Sequence, residues 1–236
     1  MKIKNVMLFA YDFPHKKTQD FIFRLLVEGY NIKYVIAAPW VNLKISPSST
    51  HNVPSHEGLT HPRKICKSFK IPYIRLEHNS SKTINYLKSH PVDLYIIAGA
   101  RVLSYEVIKS ARNKILNLHP GILPQVRGLD TLLWSICYGE PIGISAHLIS
   151  SRVDLGKLIY KEKLKLNAFD TIIDVSLRLL EKQSDVMIKS IRIIDKTKVD
   201  KFRNINLLSV KYNTKMTPSL ERKMIKKFNV WLKDQI

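Results

Sequence analysis

The chain has 236 residues, of which 45% are hydrophobic and 25% are charged. This length predicts one large domain, or one domain with a small appendage, and the apolar share excludes a wholly disordered chain. The longest fully apolar stretch covers only residues 94–100, far short of the roughly 20 residues that a membrane-spanning helix needs. The apolar run at 6–10 is too short for a secretory signal, so we expect a cytoplasmic protein.

Lysine and arginine number 39 against 19 aspartate and glutamate, which gives a net charge of +20. Such an excess favours a polyanionic partner, such as nucleic acid, a phosphorylated substrate, a nucleotide sugar or an anionic membrane. The basic residues are scattered, however, and a chain this rich in Lys, Ile and Asn also fits compositional drift. Charge alone therefore does not choose a function. The two cysteines, Cys66 and Cys137, make neither a disulfide framework nor a metal site.

The first 150 residues alternate short apolar runs with longer amphipathic stretches. Strand patterns cover 3–10, 32–38, 71–76, 92–98, 114–118 and 142–149, and helical patterns cover 18–28, 62–69, 81–89, 104–110 and 129–138. Continuous apolar strands that alternate with helices predict an α/β fold, with a mostly parallel sheet covered by helices on both faces. Such sheets bind ligands at the carboxyl ends of their strands. The irregular segment 39–60 predicts either a functional lid or disorder.

The C-terminal part is more helical and more basic. Its apolar periodicity predicts one long helix over about 169–194, and a basic stretch with a possible strand at 207–212 follows. Thr217 and Pro218 then provide an N-cap and a proline at the first helical position. The helix that they begin carries an apolar stripe typical of a docking or dimer face. The stripe consists of Leu220, Met224, Phe228 and Trp231.

The strongest pattern is Asn117-Leu-His119-Pro-Gly-Ile-Leu-Pro124, at the end of a predicted buried strand. Asn117 and His119 are two residues apart, so both side chains point to one side of the strand. Because polar side chains are costly to bury without a partner, the fold keeps them either to hold the turn or to carry out chemistry. A second strand end, at His147, leads into a loop that bears Asp154. Asp154 beside His119 would form an imidazole–carboxylate pair, and we expect His147 to be a core or supporting histidine.

These residues carry a resemblance to a known family. The pattern Asn117-x-His119-Pro-x-x-Leu-Pro, followed by Asp154-x-Gly, resembles the folate-dependent formyltransferases, which include glycinamide ribonucleotide transformylase, methionyl-tRNA formyltransferase and the sugar N-formyltransferases. The resemblance covers residues 93–163 well and does not reach the C-terminal part. It implies a Rossmann-like α/β fold, 10-formyltetrahydrofolate as formyl donor and an amine as acceptor. It also implies a set of folate contacts, to which we assign Arg101, Val102, Leu103, Ile149 and Gly156.

The resemblance implies that the acceptor amine attacks the formyl carbonyl, which produces a tetrahedral oxyanion and a nitrogen that must lose a proton. Preorganised donors stabilise such an oxyanion, and Asn117 and His119 are the expected catalytic donors. Asp154 is the third expected catalytic residue: it would raise the pKa of His119 and so keep the ring protonated, and it could relay the amine proton directly or through water. The alternatives are that Asn117 and His119 only bracket the loop and that Asp154 is only a turn residue.

Members of this family differ in the acceptor amine that they formylate. After the first predicted strand the chain has Tyr11-Asp-Phe-Pro-His-Lys-Lys17, where resemblance to the purine-pathway transformylases would require a glycine-rich phosphate loop. Lys16 and Lys17 are candidates for holding a diphosphate, with a solvated helix start as the alternative. The segment Arg127-Gly-Leu-Asp-x-x-x-Trp134 resembles the substrate side of the sugar N-formyltransferases. There Arg127 could pair with a phosphate, and Trp134 could stack on the substrate or merely pack.

We therefore predict an N-formyltransferase acting on a nucleotide-linked amino-deoxysugar, as used in bacterial surface glycans such as O-antigen and lipopolysaccharide. Two other interpretations stay open: a methionyl-tRNA formyltransferase-like enzyme or other amine formyltransferase, and a non-catalytic folate- or RNA-binding relative. The predicted organisation is a formyltransferase core over 1–165 and a helical, basic extension over 166–236, a possible dimerisation element that favours a homodimer. The sequence implies neither a metal nor a membrane partner.

Overall fold

The computed structural model describes residues 2–42, 58–205 and 212–236. A central sheet contains β1 (Asn5–Tyr11), β2 (Asn31–Ala38), β3 (Tyr73–Arg75), β4 (Leu94–Ile97), β5 (Ile115–His119), β7 (Gly143–Ile149) and β8 (Gly156–Lys163), while β6 (Arg127–Gly128) and β9 (Tyr212–Asn213) pair separately. The helices are α1 (Lys16–Val27), α2 (Pro62–Ser68), α3 (Ser81–Ser89), α4 (Tyr105–Ser110), α5 (Thr131–Tyr138), α6 (Ile172–Lys196) and α7 (Pro218–Asp234). In these described parts, no helix is both long and apolar enough to cross a membrane.

The strand order of the central sheet is β3-β2-β1-β4-β5-β7-β8. The strands from β3 to β5 run parallel, β7 is antiparallel to β5, and β8 is antiparallel to β7. The predicted α/β fold with a mostly parallel sheet is confirmed. Because β1 has β2 on one side and β4 on the other, the direction of winding reverses there. In sheets of this kind the carboxyl ends of the strands at such a reversal are the usual place for a ligand.

The sheet forms because its central strands are apolar on both faces. In β1, the residues Val6 to Ala10 are fully buried. Val6 and Leu8 belong to the core on the face covered by α1 and α6, whereas Met7 and Phe9 belong to the core on the face covered by α3 and α4. Alternate residues of a strand point to opposite faces, so a run without polar interruptions is what a strand between two helical layers requires.

The elements predicted within the first 150 residues are present, with ends displaced by about two residues at most. The prediction missed β8, an edge strand in which charged residues interrupt the apolar pattern. It began α5 at residue 129, whereas the helix begins at Thr131 because Asp130 adopts a left-handed conformation with φ 48°. Most of the predicted lid or disordered segment, and most of the possible strand at 207–212, lie outside the described residues.

The two C-terminal helices pack into the same core as the sheet. A capping box formed by Thr171 and Asp174 begins α6, and the apolar face of this helix, including Val175 and Val186, covers the sheet next to α1. The stripe of α7 packs against α5, and Phe228 and Trp231 are each only 4% exposed. The chain itself thus supplies the docking partner of that stripe. The division at residue 165 stays a prediction.

Candidate active site

Asn117 on β5 and His147 on β7 face each other across neighbouring antiparallel strands. Asn117 Nδ2 lies 3.2 Å from His147 Nε2, and His147 Nδ1 lies 3.1 Å from the carbonyl oxygen of Leu155. A carbonyl oxygen can only accept, so Nδ1 of His147 carries the proton and Nε2 accepts the amide N–H of Asn117. Burial lowers the pKa of His147 to about 4, and the ring is neutral at neutral pH. His147 is therefore a supporting residue that orients the Asn117 amide, which keeps a second N–H and its oxygen for other partners.

His119 ends β5 and is 3% exposed. Its Nδ1 lies 3.4 Å from Asp154 Oδ1, and its Nε2 lies 2.8 Å from the carbonyl oxygen of Val126. The second carboxylate oxygen of Asp154, Oδ2, accepts the backbone N–H of Gly128 at 2.7 Å. Asp154 itself has φ 55°, a left-handed conformation that aspartate adopts more readily than most residues. The structure thus brings His119 and Asp154 together at the strand end that bears Asn117, and their catalytic roles stay predictions.

The protonation of His119 differs from the sequence-based expectation. Burial lowers the pKa of His119, and the cations Lys17 and Arg127 add to that effect, while the Asp154 carboxylate and the Val126 carbonyl oppose it. The carboxylate raises the pKa of His119 as expected, but the expectation that it keeps the ring protonated is wrong, because desolvation outweighs the carboxylate. In the free protein at neutral pH the ring is neutral. At neutral pH, a nearby negative charge that compensates the cost of burial would favour its protonation.

The turn after β5 is held against β7. A Cβ on Gly121 would lie 2.8 Å from the Val126 carbonyl oxygen and 3.0 Å from His119 Nε2, so a glycine leaves room for the bond between these two atoms. Ser145 on β7 donates its hydroxyl to the Gly121 carbonyl at 2.8 Å and accepts the backbone N–H of Leu123 at 2.9 Å. Together these contacts fix the imidazole in a turn that is bound on both sides.

The two lysines at the start of α1 point to different surroundings. Lys16 Nζ pairs with Asp20 at 2.9 Å on the helix surface. Lys17 Nζ donates to the carbonyl oxygen of Leu118 at 3.2 Å and lies 5.3 Å from the ring centroid of Phe21. Burial lowers the pKa of Lys17 to about 7. Both amines already have acceptors within the chain, and only Lys17 reaches the strand end that bears His119.

The segment after β4 presents two exposed side chains, Arg101 and Val102, and anchors itself with the buried Leu103. Val102 is 61% exposed, which is unusual for a residue next to a buried strand. Asn79 holds the segment by donating from Nδ2 to the Val102 carbonyl at 3.0 Å and accepting the Ser104 N–H at 2.9 Å. The backbone is thus fixed while an apolar and a cationic side chain face outward.

Ile149 and Gly156 pair across the ends of β7 and β8 and bracket the loop that carries Asp154. Gly156 has φ 116°, and a Cβ there would lie 2.0 Å from the carbonyl oxygen of Leu148. Glycine is therefore required at this position by the approach of the two strands. Ile149 is half-buried against the core that also contains Leu103.

Arg127 and Trp134 both engage residues of their own chain. Arg127 is 8% exposed; its Nη2 donates to the Val153 carbonyl at 2.7 Å, and its guanidinium lies 5.6 Å from the ring centroid of Tyr212. Among the described residues, Arg127 Nε is buried without a hydrogen-bond partner. Trp134 Nε1 donates to the Thr214 carbonyl at 3.0 Å. Of the two alternatives for Trp134, this contact supports packing within the chain over stacking on the substrate.

A family model described as formyl transferase matches residues 46–191, more than half of the chain. This chain belongs to the formyl transferase family. The matched segment contains Asn117, His119 and Asp154, so the predicted family resemblance is confirmed.

Individual relatives of this chain carry different names. It is 30% identical over 141 residues to a methionyl-tRNA formyltransferase of Prochlorococcus marinus, covering 59% of this chain and 40% of that protein. It is 32% identical over 104 residues to a phosphoribosylglycinamide formyltransferase of Haemophilus influenzae, covering 43% and 49%. The chain thus spans less than half the length of these two curated relatives. A solved sugar N-formyltransferase from Shewanella sp FDAARGOS_354 shares the fold with a TM-score of 0.63 at 14% identity, covering 94% of this chain and 87% of that one.

The prediction missed several supporting residues of this candidate site. Ser145 could have been found, because it is a polar residue within the apolar strand Gly143–Ile149. Asn79 and the Val126 carbonyl carry no comparable signal, since they act through positions far along the chain or through the backbone. The burial of Lys17 was also not predicted, because it depends on how α1 sits over β5.

Proposed function

We propose that this chain moves a formyl group from 10-formyltetrahydrofolate to the amino group of a nucleotide-linked amino-deoxysugar, as used in bacterial surface glycans. The observation that carries the formyl-transfer part is the group formed by Asn117, His119 and Asp154 at the carboxyl end of β5. This group lies in the part of the chain that the family model matches. The acceptor part rests on separate observations.

The chemistry follows from the three side chains. The lone pair of the acceptor amine attacks the formyl carbon, the carbonyl electrons move to oxygen, and an oxyanion and a cationic nitrogen form. The second N–H of Asn117 donates to the oxyanion. The charge of the oxyanion favours protonation of the buried His119 ring, which then stabilises it through its positive charge, because both ring nitrogens already face Val126 and Asp154. Asp154 takes the amine proton directly or through water. The bond to the folate nitrogen then breaks, the oxyanion electrons restore the carbonyl, and the released folate nitrogen gains a proton.

The folate segment is chemically suited to its proposed ligand. Val102 offers an exposed apolar surface to a flat ring system, and Arg101 offers a cation to a carboxylate of the folate glutamate. Asn79 fixes the backbone from Val102 to Ser104. We propose that Leu103, Ile149 and Gly156 contribute to folate binding by shaping the walls of the proposed site.

Two observations support a phosphorylated acceptor. Arg127 has a buried Nε–H, and no described residue provides an acceptor for it. An anionic ligand would supply the missing hydrogen bond and so remove the free-energy cost of a buried donor without a partner. The net charge of +20 favours anionic substrates as a class. Lys16 would have to leave Asp20 to reach a diphosphate, and Trp134 supports the site by packing. The fold shared with the sugar N-formyltransferase over most of both chains is consistent with this acceptor.

Formyl transfer to methionyl-tRNA is the second candidate, because several of the matching curated relatives are named methionyl-tRNA formyltransferases. The excess of positive charge would then favour contact with the RNA backbone. Such contacts release counterions, so activity would fall steeply as salt rises. A nucleotide sugar with two phosphates makes fewer contacts and gives a much shallower salt dependence.

The deciding experiment measures tetrahydrofolate release from 10-formyltetrahydrofolate with three acceptors in parallel. The acceptors are a nucleotide-linked 4-amino-4,6-dideoxysugar, glycinamide ribonucleotide and methionyl-tRNA, with a reaction lacking acceptor as the control for hydrolysis. We expect turnover with the sugar nucleotide. Turnover with methionyl-tRNA alone, combined with a steep salt dependence, would establish the second candidate. Folate binding without turnover on any acceptor would contradict the acceptor that we propose.

A further inference from the structure

Lys17 is attached to the strand end that presents two of the candidate catalytic residues. Its Nζ donates to the carbonyl oxygen of Leu118 at 3.2 Å, and Leu118 stands between Asn117 and His119 on β5. The lysine belongs to the first turn of α1, so this bond joins a helix to the end of a strand more than one hundred positions away. A shift of Lys17 therefore acts directly on the backbone that orients both side chains.

Within the described parts of the chain, no carboxylate pairs with the Lys17 ammonium. The adjacent Lys16 pairs with Asp20 at 2.9 Å, whereas no carboxylate of the described ranges lies within 4.0 Å of Lys17 Nζ. A buried cation without a counter-ion costs free energy, and burial accordingly lowers the pKa of Lys17 to about 7. Leucine or methionine would fill the same space without that cost. The retained amine indicates that its hydrogen bond or its charge has a use.

We propose that Lys17 is a positioning residue of the candidate active site, which holds the end of β5 through the Leu118 carbonyl and acts on His119 through its positive charge. The catalytic part of this proposal rests on the proposed formyl transfer. The structural and electrostatic parts do not, since they concern the free protein.

The direction of the charge effect follows from the neighbouring groups. Lys17 disfavours a second positive charge close to it, so it lowers the pKa of His119 together with those of His15 and His147. Lys17 is charged below about pH 7. An ordinary histidine takes up its proton in the same pH range, so the charge of Lys17 is present when His119 titrates. Two charged residues also act on His119, with opposite signs: Asp154 and Arg127.

The test follows the ring signals of His119 by NMR through a pH titration of the whole chain. His119→Gln identifies the signal by its loss. We expect Lys17→Met to raise the titration midpoint of His119 by about half a pH unit or more, because a positive charge is removed from a buried site. Lys16→Met removes a charge one residue away that is paired at the surface, and it is expected to leave the midpoint in place. An unchanged midpoint in Lys17→Met would overturn the proposal.

A second measurement separates positioning from direct binding of the acceptor. Lys17→Arg keeps the charge and is expected to restore the wild-type midpoint, while Lys17→Gln, a second neutral variant, should repeat the shift if Lys17→Met does not fold. In the formyl-transfer assay we expect Lys17→Met to lower kcat by about tenfold or more, with little change in KM for the acceptor. A raised acceptor KM with unchanged kcat and an unchanged His119 midpoint would identify Lys17 as a substrate ligand instead. Absence of all formyl transfer refutes the proposed function, whereas the NMR result still decides the role of Lys17.

Discussion

Each candidate catalytic side chain is held in place by a partner from another part of the chain. Asn117 bonds to His147, His119 bonds to the Val126 carbonyl, and Asp154 accepts a backbone N–H. Fixed donors lose little entropy and need little reorganisation when charge develops on a substrate. This arrangement is what an oxyanion-stabilising site requires, and it predicts that truncation of any of the three damages catalysis more than folding.

We expect Asn117→Ala, His119→Ala and Asp154→Ala each to lower kcat for formyl transfer by about 10²–10³-fold, since each removes one preorganised or proton-accepting group. The free energy of unfolding should fall by about 1–3 kcal/mol, because each change leaves a buried polar partner without its bond. Tetrahydrofolate release and urea denaturation measure the two effects. His90→Ala, at an exposed histidine beyond α3, serves as the control. Near-wild-type rates in all three folded variants would refute the site.

The residue types of the site could be predicted from the sequence, but the protonation of His119 could not. Asn117 and His119 are two positions apart on one strand, so their common orientation is a local property. The low pKa of His119 is a tertiary property, because the desolvation comes from burial of the ring in the folded chain. The contact between His119 and Asp154 was predicted correctly. The rise in the His119 pKa that this contact causes is smaller than the fall caused by burial.

At the level of elements, the hairpin of β7 and β8 positions the loop that carries Asp154. The register places Ile149 opposite Gly156, so the loop between them is short and its ends are fixed. Gly156 is the closing residue, with a positive φ and no space for a Cβ next to the Leu148 carbonyl. A side chain there would push the two strands apart and move the carboxylate away from His119.

We expect Gly156→Ala to lower the free energy of unfolding by about 2–4 kcal/mol, as strain at φ 116° adds to overlap with the Leu148 carbonyl. Gly139→Ala is the matched control: this glycine also has a positive φ, but nothing lies within 4 Å of a Cβ built on it. Gly139→Ala should lower the free energy of unfolding by only about 1 kcal/mol. Urea denaturation of both variants measures the difference, and equal losses would contradict a role for the strand approach.

The periodicity of α7 predicted its helix and its apolar stripe, but not the surface that covers the stripe. Phe228 and Trp231 pack against α5, and Trp231 Nε1 also donates to the Glu140 carbonyl at 3.0 Å. A stripe buried within its own chain no longer supports the expected homodimer. The sequence pattern is the same for either partner, because it records only that the face is apolar. Similarly, β8 escaped prediction because an edge strand tolerates charges that an interior strand does not.

We expect Trp231→Ala to lower the free energy of unfolding by about 3–5 kcal/mol, the usual cost of truncating a buried aromatic side chain. Val230→Ala changes an adjacent residue of the same helix that is 66% exposed, and it should cost less than about 0.5 kcal/mol. Urea denaturation at several protein concentrations measures both. A midpoint that rises with protein concentration would show that the folded chain self-associates, and would support the expected homodimer.

For the whole molecule, burial of neutral histidines makes stability depend on pH. Burial lowers the pKa values of His78 and His147 to about 4, and both side chains are less than 9% exposed. In the unfolded chain each histidine has its ordinary pKa of about 6.5. Between these two values the unfolded state binds protons that the folded state does not, so the stabilisation is fully present above about pH 6.5 and is lost as the pH falls towards 4.

We therefore expect the free energy of unfolding to fall by on the order of 2 kcal/mol for each of these two histidines between pH 7 and pH 4.5. Urea denaturation at pH 7, 5.5 and 4.5 measures the slope. His147→Gln removes one of the two titrating groups, while the Gln side chain can still accept from the Asn117 amide. The slope of the unfolding free energy against pH should therefore decrease by the contribution of His147. His90→Gln, at an exposed position, should keep the wild-type slope. A stability that stays constant over this range would mean that the buried rings take up protons as readily in the folded as in the unfolded protein, and the pKa of about 4 given for His147 would then be wrong.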